Sequence, residues 1–281
     1  MTADPGAGTG TLSYLYAVCR ADAPDPPFGP DAAPAPAGGT GLRLVRHSGL
    51  AAVVGSVPAE EFGTEGLEAR LNDLERLEAL ARAHNAVVDA VHSRTTVLPM
   101  RLATVYLDDV RVADVLRCDA DRFRRLLDWL DGHEELGVKV YATSVAPERP
   151  AATGAASQPP HAGAGADAPG RAYLRRRQAQ RRGHREAYRA AGEVAARLPQ
   201  TVSGLARARV AHRPQQAGLG PRPGENIANE AYLVARSDRA AFRAAVSSLA
   251  REVPGVRVEV TGPWAPYSFT AHVGTKEAES R

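Results

Sequence analysis

Apolar residues recur along the chain in a few distinct patterns, and each predicts an element. The run Thr96–Tyr106, TVLPMRLATVY, is apolar at both parities of an extended chain: Val97, Ala103 and Val105 fall on one side, Leu98, Met100, Leu102 and Tyr106 on the other. Such a run reads as an interior strand covered on both faces. Two residues restrict it. Pro99 cannot donate to a ladder and belongs at a strand start or edge, and Arg101 brings a charge that must pair or snorkel. Upstream, Leu67, Leu71, Leu74, Leu77, Ala81, Val88 and Val91 recur at three-four spacing, which predicts one long helix from Leu67 to Val91. Glu75, Arg76, Glu78 and Arg82 take its solvated side, and Thr64 stands where a capping residue belongs, with Glu65 and Glu68 in the first turn. Helix-then-strand is therefore the organising unit of the first half.

The remaining elements follow from the same periodicities. Leu12–Cys19 reads as a strand, and Leu42–Val45 and Leu50–Val54 as a hairpin turning at His47-Ser48-Gly49 and ended by Pro58. Val110–Leu116 forms a short helix, and Phe123, Leu126, Leu127 and Leu130 define another that Asp131-Gly132 stops. From Leu136 onward the order is strand (Leu136, Val138, Val140), helix (Tyr173–Leu198), strand (Val202–Val210), strand (Tyr232–Ala235), helix, strand (Val256, Val258, Val260). The last helix carries Phe242, Ala245, Val246 and Leu249, with Ser237 as its cap. This is the βαββαβ order of a ferredoxin-like domain, so the expected class is α+β with two domains. The expected boundaries are a frayed tail at 1–11, a first domain at 12–134 with a Pro/Gly loop at 20–41, a second at 135–270 with a linker at 146–169, and a tail at 271–281.

Charge changes the picture more than composition does. The net charge of +3 conceals a split: residues 1–150 hold 15 Lys+Arg against 22 Asp+Glu, or −7, leaving 20 against 10, or +10, for residues 151–281. No run approaches the roughly 18 apolar residues of a membrane span, and the N-terminus lacks a signal-peptide layout, so a cytoplasmic protein is expected. Cys19 and Cys118 have no C-x-x-C spacing and read as buried free thiols.

Candidate chemistry is sparse. Gly218-Leu219-Gly220 and Gly224 lack the G-K-[ST] ending of a phosphate loop, and no G-x-S-x-G elbow occurs, which argues against nucleotide hydrolysis and a serine nucleophile. His84, Asp89 and His92 are the best metal candidates, but the two histidines stand two helical turns, roughly 12 Å, apart. His84 therefore reads first as a hydrogen-bonded core histidine. Asp108-Asp109 and Glu134-Glu135 are sequence neighbours that diverge, and read as turn and cap residues rather than an acid/base pair. Eight arginines from Arg171 to Arg189 raise a nucleic-acid-binding alternative. A solvated helix takes precedence, because no aromatic residues interleave on a basic face. Thr261–Phe269, TGPWAPYSF, is either a hydrophobic plug for the second core or an exposed anchor for a partner.

Val97-Leu98-Pro99-Met100-Arg101, following a helix that carries His84-Asn85, together with the Trp264 segment, resembles the signature of the gas vesicle protein F/L family. Tyr14–Val18, Leu50–Val54, Glu75–Asn85, Gly170–Leu174 and Tyr232–Val234 extend the resemblance over nearly the whole chain. It implies an accessory or minor structural component of gas vesicles, hollow protein shells that exclude water, built as an α+β domain followed by a modified ferredoxin-like domain. It further implies a cytoplasmic, vesicle-associated protein without enzymatic activity, cofactor or metal, whose partners are the gas vesicle shell protein and other accessory proteins. Leu98, Pro99, Met100, Arg101, Trp264, Pro266 and Tyr267 are then the expected signature or partner-contact residues. The resemblance does not separate the F type from the L type.

Overall fold

The buried strand at the centre of the first half is not Thr96–Tyr106 but β1, Thr11–Arg20, which is covered from Ser13 to Cys19. The computed structural model describes residues 10–22, 40–143, 169–214, 224–251 and 253–270. The expectations for 1–9, 23–39, 144–168 and 271–281 lie outside the described residues. Contacts divide the chain into two units, one of residues 1–135 with 263–281 and one of residues 136–262.

In the first unit β1 pairs antiparallel with β3 (Leu50–Pro58), and β3 with β2 (Thr40–His47). The β2–β3 hairpin turns through Ser48 and Gly49, both at positive φ, the geometry that matches strand twist. On its other side β1 meets two fragments of two residues each, β4 (Leu98–Pro99) and β5 (Val105–Tyr106), giving a five-stranded sheet. The predicted continuous strand is thus broken into two. Arg101 is exposed, and Ala103 takes φ 62°, where the chain bulges out between two fragments that run the same way along β1. Pro99 lies on this edge, as its missing donor requires.

The predicted single helix also divides. After a turn of helix α1 (Ala59–Phe62), α2 (Thr64–Asn72) stops at Asp73, whose carboxylate accepts from the Glu75 and Arg76 amides at 3.1 and 3.2 Å and so caps α3 (Leu74–His92). Thr64 is inside α2, and the residue before it, Gly63, makes no side-chain cap. The apolar stripe is displaced accordingly: Leu80, His84, Val87, Val88 and Val91 are buried, whereas Leu71 and Leu74 are exposed. Helices α4 (Asp109–Cys118) and α5 (Ala120–Leu130) follow, with Asp108 capping α4 through the Arg111 amide at 2.8 Å.

The second unit carries a four-stranded sheet in the order β7-β8-β6-β9, formed by β6 (His133–Ala142), β7 (Ala206–His212), β8 (Glu225–Ala235) and β9 (Val256–Trp264). Glu134 and Glu135 lie in β6 rather than in a turn. Helices α6 (Pro169–Thr201) and α7 (Arg239–Ala250) supply Ala191, Val194, Leu198, Phe242 and Val246 to one core with Val138, Val140 and Tyr232. Val202 lies in the turn that follows α6 and not in a strand, and Ser237 sits in a one-turn 3-10 helix without capping α7. The sequence reading ran the second domain to residue 270. Pro263 onward instead groups with the first unit, where Ala265 joins the core of β1 and α3.

Gly66 is where α1 and α2 approach most closely, since a Cβ built there lies 2.0 Å from the Glu60 carbonyl oxygen. Gly66→Ala must push backbone apart, and we expect it to lower stability by about 1–3 kcal/mol, read as a reduced urea midpoint at unchanged slope.

Candidate functional site

The signature segments converge on one buried imidazole. His84 projects from the covered face of α3, with Nε2 3.2 Å from the Met100 carbonyl oxygen and Nδ1 3.0 Å from the Tyr14 hydroxyl. A carbonyl only accepts, so Nε2 carries the hydrogen and Nδ1 accepts from Tyr14. The Tyr14 oxygen in turn accepts from the Ala103 amide at 2.8 Å. Every direction in the relay is fixed: Ala103 N–H to Tyr14, Tyr14 O–H to His84, His84 N–H to Met100. The amide of Ala103, held in a left-handed conformation that costs roughly 1–2 kcal/mol, is the first donor.

Burial sets the protonation states. Desolvation of the imidazolium lowers the His84 pKa to about 4, against the pull of the Met100 carbonyl. The Tyr14 phenol is pushed up to about 12 by burial, only partly offset by the Ala103 amide. Tyr16 and Tyr267 flank the imidazole, with ring centroids 5.6 and 6.2 Å away.

The C-terminal segment closes the same core. Tyr267 donates its hydroxyl to Asn85 Oδ1 at 3.0 Å, and Glu135 accepts from the Ser268 amide and hydroxyl at 2.8 and 2.7 Å. Asp89 takes a backbone hydrogen bond from Ala265, while desolvation raises its pKa. Phe269 is buried, its ring 6.2 Å from that of Trp129. The segment is therefore a plug, but for the first core and not the second.

Of the sequence-predicted residues, Leu98, Pro99 and Pro266 are buried and Met100 and Tyr267 half-buried, and the last two reach α3 at His84 and Asn85. Arg101 and Trp264, 48% accessible, face solvent. Asp109 is neither cap nor base: Arg43 grips both its oxygens, at 2.6 and 2.8 Å, which holds its carboxyl below the usual range. Among the described residues no three His, Cys, Asp or Glu side chains gather as a metal site. Cys19 is buried and its thiol pushed up to about 11 by desolvation, whereas Cys118 is exposed, contrary to expectation.

Sequence reasoning missed the apolar surface beside β5. Leu107 and Val110 are 70% and 69% exposed. A groove of about 470 Å³ lined by Tyr106, Leu107, Arg111, Val115 and Cys118 runs there. A second groove of about 510 Å³ is lined by Phe62, Leu67, Glu68, Leu71 and Val105. The turn that breaks Thr96–Tyr106 produces this surface, and a continuous-strand reading could not show it.

Because the folded His84 binds its proton less tightly than the unfolded chain does, its contribution is complete above about pH 6.5 and is lost as pH falls toward about 4, amounting to about 3 kcal/mol there. Asp89, with a raised pKa, titrates in the opposite sense, so the test is a comparison. His84→Leu strands the Tyr14 hydroxyl and the Met100 carbonyl and should cost about 2–4 kcal/mol at pH 7. The deficit should shrink between pH 6.5 and 4 in urea titrations followed by circular dichroism.

The family described as gas vesicle synthesis protein GvpL/GvpF matches residues 12–271. Gas vesicle protein L of Streptomyces sp. is 45% identical over 93% of each chain, and gas vesicle protein F2 of Halobacterium salinarum 27% identical over 86% of this chain and 87% of its own. The crystal structure of GvpF from Anabaena sp. superposes with a TM-score of 0.59 at 16% identity, covering 93% of this chain and 96% of that one. GvpF from Microcystis aeruginosa gives 0.54 at 16% identity, covering 92% and 98%. These two likenesses establish the shared mixed α/β fold with its two antiparallel sheets. The sequence matches over nearly the full length establish more: the chain belongs to the gas vesicle protein L/F family.

Proposed function

We propose that this protein binds the gas vesicle shell subunit while a vesicle is being nucleated, keeping an apolar face of that subunit out of water until it joins the shell. A wall whose inner surface repels water must be assembled from subunits with large apolar faces, and such faces aggregate when free. The observation that carries the proposal is the groove beside β5. Leu107 and Val110 stand exposed at a sheet edge closed by only two residues, Val105 and Tyr106, so an incoming segment can cover the patch or extend the edge. Its work is contact between surfaces, with no bond made or broken, carried out in the cytoplasm at the growing vesicle alongside other gas vesicle proteins.

The second unit we read as a modified ferredoxin-like domain. Its strand order, β7-β8-β6-β9, with α6 following β6 and α7 following β8, supports that reading. In the first unit the buried signature residues Leu98, Pro99, Pro266 and the half-buried Met100 and Tyr267 act as scaffold, which leaves the exposed Arg101 and Trp264 as the signature residues that can touch a partner.

Co-expression with the shell subunit is the test. The subunit should stay in the supernatant and be retained on the immobilised chain, and Leu107→Asp with Val110→Asp should reduce retention about tenfold or more, roughly 1.4 kcal/mol, without lowering thermal stability. A shell subunit that is neither retained nor kept soluble by the unaltered chain overturns the role. Retention that survives both substitutions overturns the surface assigned to it.

A further inference from the structure

The exposed faces of α3, α4 and α5 mix their charges, with ion pairs Arg82–Glu78, Arg117–Asp114 and Arg124–Asp121. Those helices show what this chain does where a surface needs only to be solvated. Helix α6 departs from it. From Arg171 to Arg189 there are eight arginines against one acid, Glu186, and no lysine. Every residue from Tyr173 to Arg182 is exposed. Like charges four apart, as at Arg177, Arg181 and Arg185, weaken an isolated helix, so solubility alone does not account for this composition.

One face of α6 is ordered as a docking surface. Leu174, Arg177, Arg181, Arg185 and Tyr188 follow one another at steps of three and four and line up along roughly 21 Å of helix. Leu174 and Tyr188, at the two ends of the row, are 56% and 47% exposed. Three arginines stand between these two exposed side chains, Tyr188 lying with its ring 6.5 Å from that of His184.

The complement is the second groove of the first unit, about 510 Å³, walled by Phe62, Leu67, Leu71 and Val105 with Glu68 on its rim. Glu65 and Glu68 are exposed at three-residue steps from Leu71, and Leu74 beyond them is 77% exposed. Residues 60–78 hold seven acids and two arginines, and both arginines are already paired, Arg70 with Glu61 and Arg76 with Asp73. An apolar groove with an acidic rim and an arginine row ended by apolar side chains match in chemistry and in sign.

We propose that the occupant of this groove is a second copy of the chain: α6 of one protomer seats Leu174 or Tyr188 in the groove and sets Arg177, Arg181 and Arg185 against Glu65 and Glu68 of the next. Arginine suits the pairing, since its planar fork matches a carboxylate. The two surfaces differ, so the contact is head-to-tail, leaves one of each kind open at the ends, and adds further copies. It does not depend on the shell-binding reading, which uses the other groove.

Sedimentation velocity on the full chain at about 100 µM tests it at about 0.1 M and about 1 M salt, where the screening length falls from about 10 Å to about 3 Å. The weight-average mass should exceed that of a dimer at low salt and return to monomer at high salt. Arg177→Gln/Arg181→Gln/Arg185→Gln and Glu65→Gln/Glu68→Gln should each be monomeric at low salt with an unchanged circular dichroism spectrum. Mixed in equal amounts they should give a one-to-one dimer and nothing larger, because each retains one working surface. A chain that is monomeric at both salts, assembly that survives the arginine changes, or a mixture that stays monomeric overturns the proposal. So does a monomer that instead shifts duplex DNA or RNA at low salt, which would make the arginine row a phosphate reader.

Discussion

A neutral imidazole with both nitrogens engaged is the constraint on which the first unit rests. His84 is hydrogen-bonded both to β1 and to the loop between β4 and β5, and its ring lies 6.2 Å from the tilted Tyr267 ring of the C-terminal segment. That loop has little regular structure to hold it, since β4 and β5 contribute two residues each. Its shape comes from the relay, from the Met100 amide on the Tyr16 carbonyl and from the Leu15 amide on the Thr104 carbonyl. Adding a proton to His84 would turn the Tyr14 hydroxyl away and place an unpaired cation in a core of aromatic rings, which is why burial keeps the ring neutral.

The same constraint explains how the chain is threaded. The second unit is inserted between residues 135 and 263, and the chain then returns to finish the first core. Asn85, Asp89 and Glu135 each receive a group from the returning segment: the Tyr267 hydroxyl, the Ala265 amide, and the Ser268 amide with its hydroxyl. Two motifs at opposite ends of the sequence are therefore parts of one structural feature. Most of their residues hold the unit together, whereas the exposed apolar side chains Leu107 and Val110 lie outside both motifs.

Much of this was legible in the sequence, and the failures have identifiable causes. The hairpin of β2 and β3, the helix on Phe123–Leu130 and the alternation of β6 followed directly from periodicity and turn chemistry, because local and tertiary preferences agree there. The long helix was misread at Asp73, where a carboxylate that looks like one more solvated charge caps a new helix. An apolar run at Thr96–Tyr106 records burial and not the bulge that interrupts the ladder between two fragments of the same direction. Ala103 at positive φ is stabilised by a hydroxyl 89 residues away, and nothing local announces it. His84 was correctly expected to be a hydrogen-bonded core residue, but its partners were not foreseeable, since one comes from β1 and one from a backbone carbonyl. Of the two readings of the Trp264 segment, the plug reading points to the second core because sequence order favours the neighbouring unit, whereas Ala265 packs into the first core and Phe269 is buried beside Trp129.

Outside that core the two units differ in how they distribute charge, with mixed signs on the helices of the first and arginine alone from Arg171 to Arg185 of α6. Solvation and association make different demands on a surface, and the run Leu174–Arg185 of α6 answers the second with arginines rather than alternating signs. Both grooves are displayed from a first unit whose geometry depends on one protonation state. Long-range nitrogen-15 NMR of the imidazoles reads that state directly. The account predicts that His84 shows a protonated Nε2 and an unprotonated Nδ1 and does not titrate between pH 8 and about 5. A His84 ring that is protonated on Nδ1, or that titrates near the ordinary value of about 6.5, would contradict it.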